Sequence, residues 1–269
     1  MSAHMIDVWD TKTLDADISD ALNNNRQQIK DYFDTGNAIV QERENSDHRT
    51  IERKNEFSAR QTHLTQTLCN ALASRTIRAW HYARLTENEA AGFTQSGISL
   101  STIATFRQRL NALVSDELLS RETAEIIFAD SPLSTPEQHE IRANRFWTIS
   151  HPLPINDGGV RDLLRYWGGE VASMCQKDQE VLRQLAQIGR PRIIEAAIPL
   201  TDGVDANSAA EAILASFGKD IGCATKSIAF DLCVMQPLPA SAVLDIISEG
   251  DPDFLGLGEH YPPGFKFRR

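Results

Sequence analysis

Residues 77–85, IRAWHYARL, form a nearly unbroken apolar and aromatic run, which is the pattern of a strand buried on one or both faces. Thr86 follows at once and Glu89 comes three residues later, which is the spacing of a reciprocal capping box. Gly97 is placed to end the helix that this box would begin. The segment therefore predicts a buried strand that leads directly into a capped helix.

Similar signals continue toward the carboxyl end of the chain. Apolar, partly β-branched runs predict strands at 145–150, 192–200 and 227–235. Helical spacing predicts helices at 102–114, 121–129, from Pro136 onward, and at 178–188. A further helix, 209–217, is expected to begin at Ser208 with Glu211 as its box partner and to stop at Gly218. The predicted fold class is α+β or mixed α/β, with a small mixed sheet of four to six strands and inserted helices.

The first 74 residues differ from the rest of the chain. They are polar and carry only a thin apolar stripe, made of Ile51, Phe57, Leu64, Leu68 and Leu72. That spacing predicts one or two long helices, and so thin a stripe needs another surface to cover it. We therefore predict a helical extension at 1–74, an α+β domain at 75–250 and an irregular, Gly- and Pro-rich tail at 251–269.

Composition limits the classes of function. With 269 residues, 41% hydrophobic and 24% charged, the chain can bury a full core, which excludes general disorder. Neither a membrane-length apolar run nor a secretion-signal pattern is found in the sequence, so a cytoplasmic location and no membrane partner are expected. The net charge of -10 argues against nonspecific coating of nucleic acid, although 13 of the 14 basic residues in 75–200 are Arg, which suits phosphate groups.

Several standard catalytic patterns are missing from the sequence. We find no GxxxxGK[ST], GxGxxG, HExxH or GxSxG, which weakens the kinase, dehydrogenase, zinc-protease and hydrolase interpretations. The four cysteines lack CxxC spacing, so neither a zinc knuckle nor a redox dithiol is predicted.

Three segments carry residues suited to chemistry. On the strand at 77–85, side chains alternate between faces, so His81 and Ala83 share one face while Trp80, Tyr82 and Arg84 share the other. The second segment, 165–170, reads RYWGGE, and its glycine pair allows either a close approach to a ligand or a tight turn before Glu170. In the third, 189–200, Glu195 interrupts an apolar strand and lies either in solvent or buried with a partner.

The order of HYARLTENE, SGISL, RYWGGE, GRPRIIEAAIPL and QPLPASAVLDII resembles bacterial proteins of the ADP-ribosyltransferase fold, of the toxin or defence kind. The resemblance covers roughly residues 77–250 and is to the diphtheria-toxin-like and poly-ADP-ribose-polymerase-like branch. The arginine-modifying branch is disfavoured, because the sequence has neither a Ser-Thr-Ser strand nor a Glu-x-Glu pair.

The resemblance implies NAD as co-substrate and no metal. It places His81 on a ribose hydroxyl, Tyr166 or Trp167 against nicotinamide, and Glu170, or second Glu195, as the acid that holds the nicotinamide ribose. Arg84 or Arg165 would neutralise the pyrophosphate, and the rest of the predicted cofactor-binding set is Tyr82, Gly168 and Gly169. A carboxylate suits this chemistry because cleavage of the nicotinamide–ribose bond passes through an oxocarbenium-like state.

Two alternatives remain. Arg43 and His48 resemble the RxxxxH signature of helical ribonuclease toxins, in which an Arg and a His act on a scissile phosphate. The chain could instead be a non-catalytic protein whose N-terminal helices bind a partner. For the transferase, the resemblance implies a protein or nucleic-acid acceptor, a toxin or antiphage setting, and a neutralising antitoxin or chaperone as a further partner.

Overall fold

The computed structural model describes residues 5–45, 53–200, 203–226 and 229–260. The described residues divide into two compact units, one within Met1–Arg78 and Ile198–Phe230, the other within Ala79–Ala197 and Asp231–Phe265. These bounds do not follow the predicted three-segment division, since residues 198–230 join the N-terminal helices in the first unit. Among the described residues, the helices are not long and apolar enough for any to cross a membrane.

The described chain is rich in helices and contains one five-stranded sheet. The helices are α1 (Ala16–Asn24), α2 (Arg26–Glu44), α3 (Ser58–Leu72), α4 (Glu87–Ser96), α5 (Ile103–Ser115), α6 (Arg121–Ala129), α7 (Pro136–Arg142), α8 (Arg161–Arg165), α9 (Glu170–Ser173), α10 (Gln179–Leu185), α11 (Gly203–Asp220) and α12 (Leu257–His260). The strands are β1 (Thr76–Leu85), β2 (Phe146–Ile149), β3 (Arg190–Pro199), β4 (Asp231–Val234) and β5 (Val243–Ser248).

The sheet is antiparallel and has the order β4-β2-β1-β3-β5. Trp80 of β1 lies opposite Ile149 of β2, and Ile193 of β3 lies opposite Ile247 of β5. The α+β class and the strand number agree with the prediction, but the expectation of a mixed sheet was wrong. The fifth strand, β5, was not predicted, because its sequence VLDIIS includes exposed positions and precedes the Gly- and Pro-rich tail.

The strand-to-helix prediction at 77–97 is confirmed. The Thr86 hydroxyl accepts the Glu89 N–H at 3.2 Å, and the Glu89 carboxylate accepts the Thr86 N–H at 2.9 Å. Gly97 ends α4 with φ 90°, and a side chain there would collide with the backbone of Leu238.

In the first unit, the apolar stripe of α3 supplies the buried side chains Leu64, Leu68 and Leu72, and α3 packs mainly on α11. The described N-terminal residues form three helices, one more than the upper limit predicted. The expected bounds of α11 were also wrong, since the helix begins at Gly203 and continues through Gly218 to Asp220. Gly218 is needed for packing, because a Cβ there would lie 2.8 Å from both Phe33 and Thr225.

The second unit has two apolar clusters. One contains Trp80, Tyr82 and Ile193 on one face of the sheet, together with Val160 and Phe254. The other lies among α5, α6 and α10 and includes Phe106, Leu110, Trp167 and Leu185. The first cluster anchors β1 through Trp80 and Tyr82, and the second anchors the 165–170 segment through Trp167.

Candidate functional site around His81

His81 lies on the face of β1 that is opposite to the buried Trp80 and Tyr82. Its Nδ1 lies 2.7 Å from the carbonyl oxygen of Trp147, and its ring packs on Phe146 with 4.2 Å between centroids. Because a carbonyl only accepts, Nδ1 carries the proton in this hydrogen bond. Burial lowers the pKa of His81 to about 4, and the nearby Arg109 charge acts in the same direction. The ring is therefore neutral at pH 7, and Nε2 presents a lone pair that can accept a hydroxyl hydrogen.

A second polar group, Glu89 of α4, joins this helix to α5 and to the 165–170 segment. Its carboxylate accepts hydrogen bonds from Arg109 Nε at 2.7 Å and from Trp167 Nε1 at 2.9 Å, besides the cap contact with Thr86. Burial opposes ionisation of Glu89, but Arg109 and these hydrogen bonds outweigh it and lower the pKa. Sequence reasoning identified Glu89 only as a capping residue, and nothing in the spacing of Arg109 marks it as a partner.

The structure brings the β1 segment and the 165–170 segment together. Arg84 forms an isolated parallel bridge with Trp167, and the Arg84 Nε donates to the Ile188 carbonyl at 2.8 Å. Burial lowers the pKa of Arg84, and the Glu249 charge partly opposes this. Arg84 is half-buried and tied to the backbone, whereas Arg165 is exposed, with its guanidinium 5.0 Å from the Tyr166 ring centroid.

Two of the predicted NAD-contacting rings have little or no accessible surface. Trp167 is 0% exposed and packs beside Phe106 with Arg109 over its ring, so it cannot stack on a ligand. Tyr82 is in the core, where its hydroxyl donates to the Leu153 carbonyl and accepts the Leu153 N–H. This corrects the expected ligand contacts of Tyr82 and Trp167, and it leaves the half-buried Tyr166 as the accessible ring.

The glycine pair makes a turn. Gly168 and Gly169 both have positive φ, 76° and 54°, and a Cβ on Gly168 would lie 2.7 Å from that of Ala172. Of the two interpretations of this pair, the tight turn is the one seen. The turn buries Trp167 and begins α9 at Glu170, whose side chain is 58% exposed.

The two candidate carboxylates occupy different surroundings. The Glu170 Oε2 accepts a hydrogen bond from Arg142 Nε at 3.2 Å, and Arg142 Nη2 lies 3.1 Å from the same oxygen as an ion pair. Glu195 is buried on β3, opposite Asp245 of β5 and next to a β-bulge. Because Glu195 is two residues from Ile193, it shares the face of β3 that joins the Trp80 cluster, not the face of His81. The structure thus separates Glu195 from His81.

An ionic cluster at the start of β3 was not predicted. Glu87 pairs with Arg190 and with the buried Arg192, and Arg192 also donates to the Ser248 hydroxyl at 2.7 Å. The hydrogen bond from Arg192 lowers the pKa of Glu87 despite partial desolvation. These contacts tie the start of α4 to the start of β3 and account for two of the many arginines in the central region.

Arg43 and His48, the residues of the ribonuclease alternative, belong to neither β1 nor the 165–170 segment. Arg43 lies in the last turn of α2, while His48 is outside the described residues. Two open clefts, of about 440 and 530 Å³, are lined by residues outside the predicted NAD set. Within the described ranges, His, Cys, Asp and Glu side chains form no group of three that could hold a metal.

Comparisons of the chain with protein-family models, with curated proteins and with solved structures found no match.

Proposed function

We propose that the chain is an NAD-dependent ADP-ribosyltransferase whose site is built around His81. The neutral His81 ring carries the proposal, because its Nδ1 is held by the Trp147 carbonyl, which leaves Nε2 as the acceptor for a hydroxyl hydrogen of the substrate. Among the described residues, no group occupies Nε2. A ribose hydroxyl of NAD is the partner that the resemblance assigns to this position, and a neutral acceptor is the form that such a contact requires.

Glu170 supplies the carboxylate in this proposal. Arg142 holds Oε2, and no described residue bonds to Oε1, which is left to accept the ribose 2′-hydroxyl hydrogen. The bond between the nicotinamide nitrogen and ribose C1 breaks, nicotinamide leaves neutral, and the acceptor nucleophile bonds to C1 and loses its proton to solvent. The carboxylate stabilises positive charge that develops on the ribose.

The accessible ring and arginine of the 165–170 segment complete the proposed site. Tyr166 is half-buried and could lie against nicotinamide, and the exposed Arg165 suits the diphosphate. The acceptor is a protein or a nucleic acid, and a toxin or antiphage role, with a neutralising antitoxin or chaperone, is the setting proposed by analogy.

The test uses matched variants of the full chain with labelled NAD and cell lysate. His81→Asn keeps a donor for the Trp147 carbonyl but removes the acceptor at the position of Nε2, because the shorter amide does not reach it. Glu170→Gln keeps a partner for Arg142 but removes the charge. Each should lower label transfer about 10²–10³-fold, as expected for loss of one transition-state contact.

The controls are His139→Asn and Glu180→Gln. His139 is another half-buried histidine with Nδ1 against a backbone carbonyl, and Glu180 is another exposed glutamate in a first helical turn that pairs with an arginine. Both controls should keep full activity. Wild-type protein that neither consumes NAD nor transfers label, or His81→Asn and Glu170→Gln that match the controls, would refute the proposal.

A further inference from the structure

A cleft in the second unit is lined by residues outside the predicted NAD set, although Met174 at its rim accepts a contact from Arg142, the partner of Glu170. It has a volume of about 530 Å³ and lies among the end of α6, the start of α7 and the segment after α9. Its lining residues are Ala129, Asp130, Thr135, Met174, Cys175, Gln176 and Lys177.

Gln176, one of the lining residues, carries a buried hydrogen-bond donor. Its Oε1 accepts the backbone N–H groups of Lys177 and Asp178, both at 3.1 Å. Since these groups only donate, they fix the orientation of the amide, and Nε2 must be the opposite atom. The residue is 8% exposed, and no described residue accepts a hydrogen bond from Nε2. A buried donor without an acceptor is costly, which favours a ligand that supplies one.

Two charges of opposite sign line the same cleft. Lys177 and Asp130 are both exposed, and among the described residues neither forms an ion pair. A ligand that satisfies all three groups needs an anionic oxygen for Gln176 and Lys177 and a cationic nitrogen for Asp130. Ala129 and Met174 add apolar surface.

We propose that this cleft binds a small zwitterion of the α-amino-acid class. The carboxylate of the ligand accepts from Gln176 Nε2 and pairs with Lys177, while its ammonium group pairs with Asp130. Nε2 is closed to solvent, so binding displaces a flexible side chain of the rim, of which Met174 and Lys177 have the most rotatable bonds.

Cys175 provides a direct measurement of occupancy, because it is exposed and lines the cleft. Its alkylation by iodoacetamide is followed by peptide mass spectrometry, with the half-buried Cys233 as internal reference. The probe is L-methionine. At about ten times its Kd, roughly a tenth of the sites stay empty, so alkylation of Cys175 should slow about tenfold. Methioninamide, N-acetylmethionine and inorganic phosphate each lack one half of the zwitterion and should protect far less.

The decisive variant is Gln176→Glu, with Gln187→Glu as control. The glutamate keeps an oxygen for the two backbone N–H groups and replaces the Nε2 donor by a second oxygen, whereas Gln187 is exposed and outside the cleft. Protection should vanish in Gln176→Glu and persist in Gln187→Glu, with an unchanged Cys233 rate in both. No protection of the wild type, equal protection of Gln176→Glu, or equal protection by phosphate or the half-analogues overturns the proposal.

Discussion

Glu89→Ala is expected to destabilise the second unit by about 2–5 kcal/mol, because one carboxylate satisfies three donors. Loss of the acceptor leaves Trp167 Nε1 buried without a partner, at a cost of about 1–3 kcal/mol. The capping contact with the Thr86 N–H contributes about 1 kcal/mol. The ion pair with Arg109, whose side chain is 33% exposed, adds about 1 kcal/mol or less after screening by solvent.

The measurement is guanidinium unfolding followed by tryptophan fluorescence, which reports mainly on the second unit because Trp80, Trp147 and Trp167 lie there. Asn88→Ala, at an exposed position in the same turn of α4, should stay within about 0.5 kcal/mol of wild type. Glu89→Gln keeps one acceptor oxygen and should fall between them. A loss below about 1 kcal/mol for Glu89→Ala would show that the three contacts do not stabilise the fold as argued.

Three further outcomes follow from the same unit. Tyr82→Phe should cost about 2–4 kcal/mol in guanidinium unfolding, because it leaves the Leu153 N–H and carbonyl buried without their partner; a loss under 1 kcal/mol would contradict this. Gly168→Ala should destabilise by about 1–3 kcal/mol through its positive φ and the contact with Ala172, while Gly158→Ala, which meets open space, should be neutral; equal melting temperatures would count against the turn. The pKa of His81 is lowered from 6.5 to about 4, so the unfolded chain binds the proton first and stability is lost as pH falls from 6.5 to 4. His81→Asn should reduce the slope of the stability profile in that window but not abolish it, because burial lowers the pKa of His151 to about 4 as well. An unchanged slope would refute the assignment.

Much of the fold was predictable where local signals and burial agree. The run at 77–85 is apolar enough to require a buried strand, and Thr86 and Glu89 form the expected box at once after it. The failures have tertiary causes. Gly218 stays helical because Phe33 and Thr225 pack against it, and β5 is recruited by pairing with β3 despite its exposed Leu244 and Asp245.

The candidate site was predictable only as a set of segments. The resemblance implied that β1 and 165–170 contribute to one site, and in the structure Arg84 and Trp167 of these two segments form an isolated bridge. The sequence could not show which aromatic rings are buried in the core. Side chains alternate between the two faces of a strand, and either face can be the buried one until the neighbouring elements are known. Trp167 and Tyr82 enter the core through long-range contacts with Phe106 and Leu153, which no spacing along the chain encodes.

Tyr82 and Glu89 lie outside the proposed NAD contacts, yet they determine the position of His81 on β1. Tyr82 anchors one face to the backbone of Leu153, and Glu89 fixes the end of the strand through the capping box and Trp167. Together they set the register, and a slip of one residue would exchange His81 with the core face. The position of the His81 ring therefore depends on the Tyr82 and Glu89 hydrogen bonds. Substitutions at either residue should reduce activity in proportion to the loss of stability, whereas His81→Asn should reduce activity at pH 7 by more than its loss of stability accounts for.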